Sequence, residues 1–437
     1  MAVSLTIAIV TCAVMIASVL WFPKIRFGKM TLDTYWIVVL SGALIMIAAR
    51  QVDLSFLWSK MTESSSINPL KILTLFISMT VLSIFLDEVG FFRYLANKSL
   101  SLAAHSQIRL FAILYATVSV LTVFTSNDII VLTFTPFICY FAKNAHISPR
   151  PYLVAEFVAA NTMSMTFIIG NPTNIYIATS YNVNFVEYVS VMILPTLASA
   201  MVAFLVLWLL FRRELKTPAQ TTAEDIKIEN KPFLIIGLAI LTVCTVVLAI
   251  GSYIGVDMWL AAFVSALLLF VLIGIAAAVT HKRPVELAAT LKRAPWQLIP
   301  FVLSMFVIIL ALTGNGVTEK IGSLLGEDHT VFKYGVCSFL AANFINNIPM
   351  SVLFCPVIEP LAAGASAATL MRAVYATVVG SNIGAYLTPI GALAGIMWMS
   401  LLKKHEVKFG YVDFIKYGVL VSIPALLSNL LVLNLVL

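Results

Sequence analysis

Long apolar runs separated by short polar segments dominate this chain. Several runs reach the roughly 20 residues that cross a bilayer as a helix, among them 2–22, 233–254 and 259–279. A transmembrane β-barrel would instead show short segments of alternating hydrophobicity. The pattern predicts an all-α polytopic membrane protein. The first run is too long for a signal-peptide core and lacks a cleavage site, so we expect a retained helix.

Basic residues gather in the short segments between the runs, which predicts that these segments are cytoplasmic. The region 110–142 has basic residues at both flanks, Arg109 and Lys143. One full crossing would place one basic flank outside, whereas a re-entrant hairpin keeps both flanks inside. The second half repeats this order of spans, and its own interrupted region, 332–361, has mainly acidic flanks. This difference predicts a second hairpin that enters from the outside.

The resulting prediction is two inverted repeats, each with about five transmembrane helices and one re-entrant hairpin. An odd number of spans in each half makes the halves point in opposite directions across the membrane. The predicted boundaries are 1–216 for the first repeat (hairpin near 110–142, broken helix near 151–180), 217–231 for a cytoplasmic linker, and 232–437 for the second repeat (hairpin near 332–361, broken helix near 370–401).

Composition agrees with a membrane protein, because 61% of residues are hydrophobic and 11% are charged, against about 25% charged in soluble domains. The net charge of +7 is explained by the loop lysines and arginines, so no nucleic-acid partner is predicted. The five cysteines lie in apolar stretches without a CxxC pair and are interpreted as core residues, with no metal site. Sequence motifs for ATP hydrolysis, zinc proteases and serine hydrolases are absent, which predicts a transporter rather than an enzyme, without a cofactor.

Four polar interruptions break the apolar segments in matched pairs: 125–128 with 346–349, and 170–174 with 380–389. Irregular backbone at membrane depth is tolerated where it lines a cavity, and paired interruptions indicate a transporter site near the midplane. The alternative is that these residues only join helices, at about 0.6 kcal/mol per hydrogen bond. The predicted substrate-binding residues are Ser126, Asn127, Asn171, Thr173, Asn174, Asn346, Asn347, Ser381, Asn382 and Thr388.

Carboxylates within apolar segments are the candidates for coupling to protons or cations, because a charged group there costs several kcal/mol. Asp128 lies at the centre of an interruption and is the first candidate, aligned with Asn347 of the second half. Glu156 is the next candidate, with the alternative that it pairs with a basic residue of the preceding loop. Asp87 and Glu88 end the third span and complete the set, with an interfacial role as their alternative.

Five stretches, in order along most of the chain, carry a resemblance to a known family: "LDEVGFF", "SNDIIVLTFTP", "RAPWQLIPFVLSMFVI", "NNIPMSVL" and "YLTPIGALAGIMW". On these residues the chain resembles the ArsB/NhaD permeases of the ion transporter superfamily, most closely the bacterial ArsB-type arsenite-efflux permeases. The resemblance implies a transport domain that moves against a scaffold, and export of As(OH)3 or Sb(OH)3 driven by proton entry, sometimes with a separate cytoplasmic ATPase. It also implies hairpin tips at Asn127–Asp128 and Asn346–Asn347.

The predicted function is therefore export of a small inorganic oxyacid, arsenite or antimonite first, in exchange for protons, by a multi-pass protein of the bacterial inner membrane. A sodium/proton antiporter and a sodium-coupled anion transporter are the alternatives. Arsenite permeases tend to carry an acidic residue and a lysine in the last broken helix, where this chain has Asn382 and Tyr386. Substrate, coupling ion, transport direction, an ATPase partner and a homodimer stay open at this point.

Overall fold

The computed structural model describes residues 1–27, 30–63, 68–103, 106–216, 228–251 and 253–437. Helices account for most of it, and one antiparallel hairpin pairs β1 with β2, with Lys24 opposite Asp33. The elements of the first half are α1 (Ala2–Trp21), β1 (Lys24–Phe27), β2 (Met30–Asp33), α2 (Thr34–Ala48), α3 (Leu54–Thr62), α4 (Pro69–Glu88), α5 (Phe91–Leu102), α6 (Gln107–Phe124), α7 (Asn127–Asn144), α8 (Arg150–Met163), α9 (Pro172–Ser180) and α10 (Phe185–Phe211). Those of the second half are α11 (Lys231–Gly251), α12 (Met258–Thr280), α13 (Val285–Arg293), α14 (Leu298–Gly314), α15 (Val317–Leu325), α16 (Thr330–Ile345), α17 (Asn347–Gly364), α18 (Ala367–Gly384), α19 (Leu393–Lys404) and α20 (Tyr411–Val436).

The predicted class, an all-α polytopic membrane protein, is confirmed. Within the described ranges, nine helices are long and apolar enough to cross a membrane. Their outward faces carry large apolar side chains, such as Leu267 and Val271 on α12, which are about half exposed. Polar side chains such as Ser83, Asn161, Asn382 and Asn429 are instead buried between the helices. This distribution fits a protein whose surroundings are lipid.

The helices of the two halves follow the same order, ten in each half of the described chain. The short helices α3 and α13 occupy the third place in their halves, and α5 and α15 the fifth. The hairpins α6–α7 and α16–α17 correspond, and both α7 and α17 carry a proline at their tenth residue, Pro136 and Pro356. The broken helices α8–α9 and α18–α19 follow, and each half ends with a long helix that contains one proline.

Contacts between the halves are reciprocal. Helix α4 packs on α12 while its counterpart α14 packs on α2, and α9 packs on α17 while α19 packs on α7. When a contact between two helices is repeated by their counterparts in the other half, the two halves are related by an approximate two-fold axis. The opposite orientation of the halves in the membrane remains a prediction from the charge pattern.

The helices form two packed groups. Helices α1, α2, α4, α11, α12 and α14 pack mainly on one another, and we call this group the scaffold bundle. The hairpins, the broken helices and the long helices α10 and α20 form the second group, which we call the core bundle. Helices α5 and α15 connect the two groups along the chain and pack on the hairpin helices.

Polar contacts distinguish the two ends of the molecule. At one end the Met1 amino group donates to Asn315 Oδ1, 3.1 Å away, and the Asn315 amide contacts the Gln51 carbonyl. At the other end Arg293 pairs with the carboxylates at the end of α4. The positive-inside rule predicts that the Arg293 end, with the basic segments, is cytoplasmic.

Four short helices, α3, α5, α13 and α15, lie where the hydropathy pattern predicted only loops. They have 9 to 12 residues, so they cannot span a bilayer and do not register as long apolar runs. On α3, the side chains of Leu54, Phe56 and Trp58 are exposed by 61%, 45% and 70%, as expected for an amphipathic helix at the membrane surface. The basic segment that begins at Lys24 also differs from its predicted loop, because it forms the strand pair. Most of the predicted linker, 217–227, lies outside the described residues, and its last residue already begins α11.

Candidate functional site

The tip of the first hairpin rests against the break in the first broken helix. Helix α7 begins at Asn127, whose amide donates to Asn161 Oδ1 on α8, 2.9 Å away. Ser126 precedes it and is 4% exposed. Asn161 follows Arg150, the start of α8, by eleven residues, or about 17 Å along the helix axis. Since the hydrocarbon layer is about 30 Å thick, this contact supports a tip near mid-membrane depth.

The second tip docks on the second break in the same manner. The Asn346 amide donates to the Ile390 carbonyl at 3.0 Å, and the Asn347 N–H donates to the Gly391 carbonyl at 3.0 Å. Asn346 has φ 72° and ψ 152°, a region that is almost restricted to glycine. Its side-chain oxygen accepts from the Ile348 N–H and caps α17. A non-glycine residue held in this conformation marks the tip as a functional candidate.

Asn382 joins the two breaks. Its Oδ1 accepts from Ser164 Oγ and Asn171 Nδ2, each at 2.9 Å. Its Nδ2 donates to Asn174 Oδ1 at 2.6 Å and to the Val378 carbonyl at 2.8 Å. These four bonds use the full capacity of a primary amide, and the side chain is fully buried. The predicted ligand Asn382 is therefore a tie between the halves in this conformation.

The segment Gly170–Asn174 forms the first break because its residues suit a helix start. Asn171 caps α9 by accepting from the Thr173 N–H, and Pro172 occupies the first helical turn. Asn174 donates to the Ser164 carbonyl at 2.8 Å, which fixes the chain on both sides of the break. A Cβ atom at Gly170 would lie 2.3 Å from the Ser164 carbonyl oxygen, so only glycine fits there.

Ser381 and Thr388 line the second break. Ser381 lies 3.5 Å from Ser351 of α17, hydroxyl to hydroxyl. Thr388 donates its hydroxyl to Asn343 Oδ1 at 2.7 Å, and its N–H contacts the same oxygen. All ten predicted substrate-binding residues therefore lie at the two tips or the two breaks, and nine of them are buried. Whether they bind substrate stays a prediction.

Asp128 differs from the residues around it. It lies in the first turn of α7 and is partly buried, and its carboxylate has no hydrogen-bond partner or ion pair among the described residues. The phenol of Tyr35 on α2 lies within electrostatic range, so Asp128 is near the scaffold bundle. The structure shifts the predicted alignment by one residue. Helix starts and prolines pair Asn127 with Asn347, and Asp128 with Ile348.

Glu156 is deeply buried, and the alternative of a pairing with a basic residue of the preceding loop is not found among the described residues. Both carboxylate oxygens contact the hydroxyl of Thr135, at 3.0 and 3.1 Å. The buried indole nitrogen of Trp398 also lies close to this carboxylate. Glu156 faces inward from α8 toward α7, so the loop that precedes α8 is out of its reach.

Asp87 and Glu88 share one cation. Arg293 donates from Nη2 to Asp87 Oδ2 at 2.7 Å and from Nη1 to Glu88. Thr133 of α7 donates to the other oxygen of Asp87 at 2.8 Å. This arrangement favours the interfacial role for both acids, because both carboxylates already pair with the Arg293 guanidinium. It also links the amphipathic helix α13 to the first hairpin.

Asn161, Ser164 and Asn343 were missed by the sequence interpretation, although each holds a predicted residue in place. Asn161 and Asn343 lie inside helices, and Ser164 ends α8. Their one available signal was a polar residue close to an interruption, as in "NTMSM" before "GNPTN". Such a residue reveals its role only through its partner, and Ser164 lies 218 positions from Asn382.

Comparisons with known proteins place this arrangement in a transporter family. The family model CitMHS, described as citrate transporter, matches residues 3–380. The chain belongs to this family. Among the relatives of this CitMHS member, the arsenical pump membrane protein of Escherichia coli strain K12 is 24% identical over 445 residues, which cover 96% of both chains. The arsenical pump membrane protein of Yersinia enterocolitica is 26% identical over 377 residues, 82% of this chain and 85% of the relative.

A solved structure supports the fold of this CitMHS member. The crystal structure of the Alcanivorax borkumensis YdaH transporter, described as having an unusual topology, aligns with a TM-score of 0.55. It covers 99% of this chain and 97% of the other at 12% identity, so the likeness concerns the fold alone. Together these findings confirm a multi-pass membrane transporter of the ArsB/CitMHS type, as the resemblance implied.

Proposed function

We propose that the protein exports a small uncharged oxyacid, arsenite or antimonite, in exchange for protons. The observation that carries the proposal is the meeting of two helix breaks through Asn382, with a hairpin tip docked on each break. This constellation concentrates neutral amides and hydroxyls at one buried place in an otherwise apolar molecule. The arsenical pump names of the relatives support the choice of substrate.

The chemistry of the site favours a neutral solute. The tips and breaks, 125–128, 161–174, 346–349 and 380–391, contain no lysine or arginine. Asparagine and serine side chains offer both donors and acceptors, which can replace the water around three hydroxyl groups. The Asp128 carboxylate would repel a trivalent anion such as citrate. A neutral As(OH)3 molecule avoids that repulsion.

Asp128 is the proposed proton carrier. An uncharged substrate supplies no charge of its own, so exchange with protons requires a titratable group near the site. Asp128 is the only carboxylate within the four interruptions, and it has no partner among the described residues. Protonation there would remove a charge from the first turn of α7, where the helix dipole favours an anion. Proton binding therefore changes the electrostatics of the tip that faces the scaffold bundle.

Movement of the core bundle against the scaffold bundle would expose the site alternately to the two sides. The two-fold relation of the halves supports this, since it provides similar paths toward both ends. Helices α5 and α15 connect the bundles at corresponding places and could transmit the movement along the chain. The lipid bilayer is then the medium in which the core bundle shifts.

Transport in everted vesicles tests the proposal. Vesicles that contain the protein should accumulate arsenite when respiring, and a protonophore should abolish the accumulation. Asp128→Asn should abolish proton-driven transport at normal protein level, because it keeps the shape but cannot carry a proton. Asp413→Asn is the matched control, since Asp413 only caps the exposed start of α20. Wild-type transport with an unchanged pH profile in Asp128→Asn would refute the coupling role.

Sodium-coupled anion uptake is the second candidate, because the matching family is described as citrate transporter. It predicts sodium-dependent citrate uptake into right-side-out vesicles and no movement of arsenite. A sodium/proton antiporter would release protons from the vesicle lumen, and so make it more alkaline, when sodium alone is added outside. Assays in vesicles of the two orientations therefore separate the three functions.

A further inference from the structure

An open cleft of about 400 Å³ lies at the end of the molecule opposite Arg293. It is formed by the start of α4, the turn between α9 and α10, and the loop before α12. Ligand clefts begin at about this size. The side chains most relevant here are Lys71, Ile72, Thr179, Asn184, Asp257 and Trp259.

The rim of the cleft holds a compensated charge pair. Lys71 Nζ lies 3.4 Å from Asp257 Oδ2 and 5.8 Å from the ring centroid of Trp259. The Trp259 indole donates to the same Asp257 oxygen at 2.9 Å. An exposed pair of this kind contributes little to stability, about 0–1 kcal/mol. It does give the rim polar groups with no net charge, which suits the passage of a neutral solute.

A second, smaller void lies behind Ile72. Its volume is about 20 Å³, room for about one water molecule. Thr173 of α9 and Ser351 of α17 line it from the core bundle, and Val302 of α14 lines it from the scaffold bundle. Ile72 is 5% exposed and lines both spaces. One side chain therefore lies between the open cleft and residues of the candidate site.

The cytoplasmic end carries a counterpart of the rim. Asp33 and Asp257 each precede a helix of the scaffold bundle, and Tyr35 and Trp259 are the second residues of those helices. The Tyr35 ring packs against Phe301 of α14 at 5.1 Å, as Trp259 packs against Lys71 of α4. The phenol of Tyr35 lies within electrostatic range of the Asp128 carboxylate. The two-fold relation thus places an aromatic residue at the start of the corresponding scaffold helix at both ends.

We propose that the cleft bounded by Lys71, Asp257 and Trp259 is the external portal for the transported solute, and that Ile72 is its barrier. The inference rests on the proposed transport function and extends it, because it names the external route and the side chain that closes it. The boundary between scaffold and core bundles is the place where a small shift would displace Ile72. The cleft, the barrier and the void follow this boundary in order.

Cysteine accessibility tests the portal in a variant that lacks the five native cysteines. Thr179→Cys lies on the cleft wall, Thr173→Cys lies in the inner void, and Leu267→Cys faces lipid. A charged, impermeant thiol reagent added outside intact cells should modify Thr179→Cys and should not modify Leu267→Cys. Thr173→Cys should react slowly. Combining it with Ile72→Ala should raise its rate about tenfold or more, equivalent to a barrier lowered by about 1.4 kcal/mol.

A blocking experiment connects the portal to transport. A bulky thiol reagent at Thr179→Cys should inhibit arsenite transport at least about tenfold, a barrier raised by about 1.4 kcal/mol. The same reagent at Leu324→Cys, which is 77% exposed on α15 outside the cleft, should leave transport unchanged. Unmodified Thr179→Cys protein provides the reference rate.

The outcomes separate the portal from the transport function. Failure of Thr179→Cys to react from outside, while Leu324→Cys reacts, overturns the portal. Full transport after modification at Thr179→Cys overturns it as well, and an unchanged rate at Thr173→Cys with Ile72→Ala overturns the barrier. If the unmodified protein moves no arsenite, the proposed substrate fails, and the external labelling pattern still decides the portal.

Discussion

Replacing Asn382 by leucine should uncouple the two halves of the candidate site. Leucine has nearly the shape of asparagine but can make none of its four hydrogen bonds. Three of those bonds reach side chains of the first half, Ser164, Asn171 and Asn174, and the fourth stays within α18. The substitution therefore removes contacts between the halves without opening a cavity.

The magnitude follows from the number of bonds lost. A hydrogen bond between membrane helices contributes about 0.6 kcal/mol on average and about 1.7 kcal/mol at most. Three such bonds are then worth about 2–5 kcal/mol. The three partners are buried, so the polar groups left unpaired add to the loss. We expect destabilisation near the upper part of this range, about 4 kcal/mol.

Thermal unfolding in detergent, followed by the loss of monodisperse protein, measures the effect. Ser381→Ala is the matched control, because Ser381 is the chain neighbour of Asn382. The Ser381 hydroxyl makes one contact of 3.5 Å with Ser351, so its removal should lower stability by less than about 1 kcal/mol. Asn382→Leu should unfold at a clearly lower temperature than Ser381→Ala and should not transport arsenite. Equal stability of the two variants would refute the role of Asn382 as the tie between the breaks.

Three further predictions concern the interface, the second tip and the topology. Arg293→Gln leaves Asp87 and Glu88 side by side without their cation, so stability should fall by about 1–2 kcal/mol, less than for a fully buried pair. In a double-mutant cycle, adding Asp87→Asn should restore part of this loss. Asn346→Gly should be more stable than Asn346→Ala by about 1 kcal/mol or more, because only glycine adopts the backbone conformation at φ 72° without strain. Equal unfolding temperatures of the two variants would show that the backbone is not strained there. Single cysteines replacing Arg109 and Lys143 should both resist an impermeant thiol reagent added outside, and ready labelling of either would exclude a hairpin open to the cytoplasm.

The sequence predicted most of the spanning helices because lipid imposes a simple requirement. Each spanning helix needs a long apolar run, and residues 259–279 show this clearly, since the predicted run and helix α12 differ by one residue at each end. Polar residues inside such runs are costly, which is why 125–128 and 346–349 indicated interruptions that coincide with the turns between α6 and α7 and between α16 and α17. The shorter helices α3 and α15 were not predicted, because a helix that does not span the membrane needs no long apolar run.

The candidate site was predicted as a set of residues but not as a network. Nothing in the sequence indicates that Asn382 bonds to three residues of the other half, since each partner lies more than 200 positions away. The alignment of the tips also required the structure. Matching "ND" to "NN" by similarity paired Asp128 with Asn347, whereas the helix starts pair it with Ile348.

This corrected pairing identifies a difference between the two similar halves that could give the proposed export its direction. Two similar halves favour two alternately exposed states of comparable energy, so direction must come from residues that differ at corresponding places. Asp128 occupies at the first tip the place that Ile348 occupies at the second, and Ile348 lines the void behind the external cleft. The carboxylate thus lies on one path, toward Tyr35 and the cytoplasmic end, and a branched apolar side chain lies on the other. We infer that the proton acts on the state in which the first tip is exposed, because the second tip has no group there that can bind it.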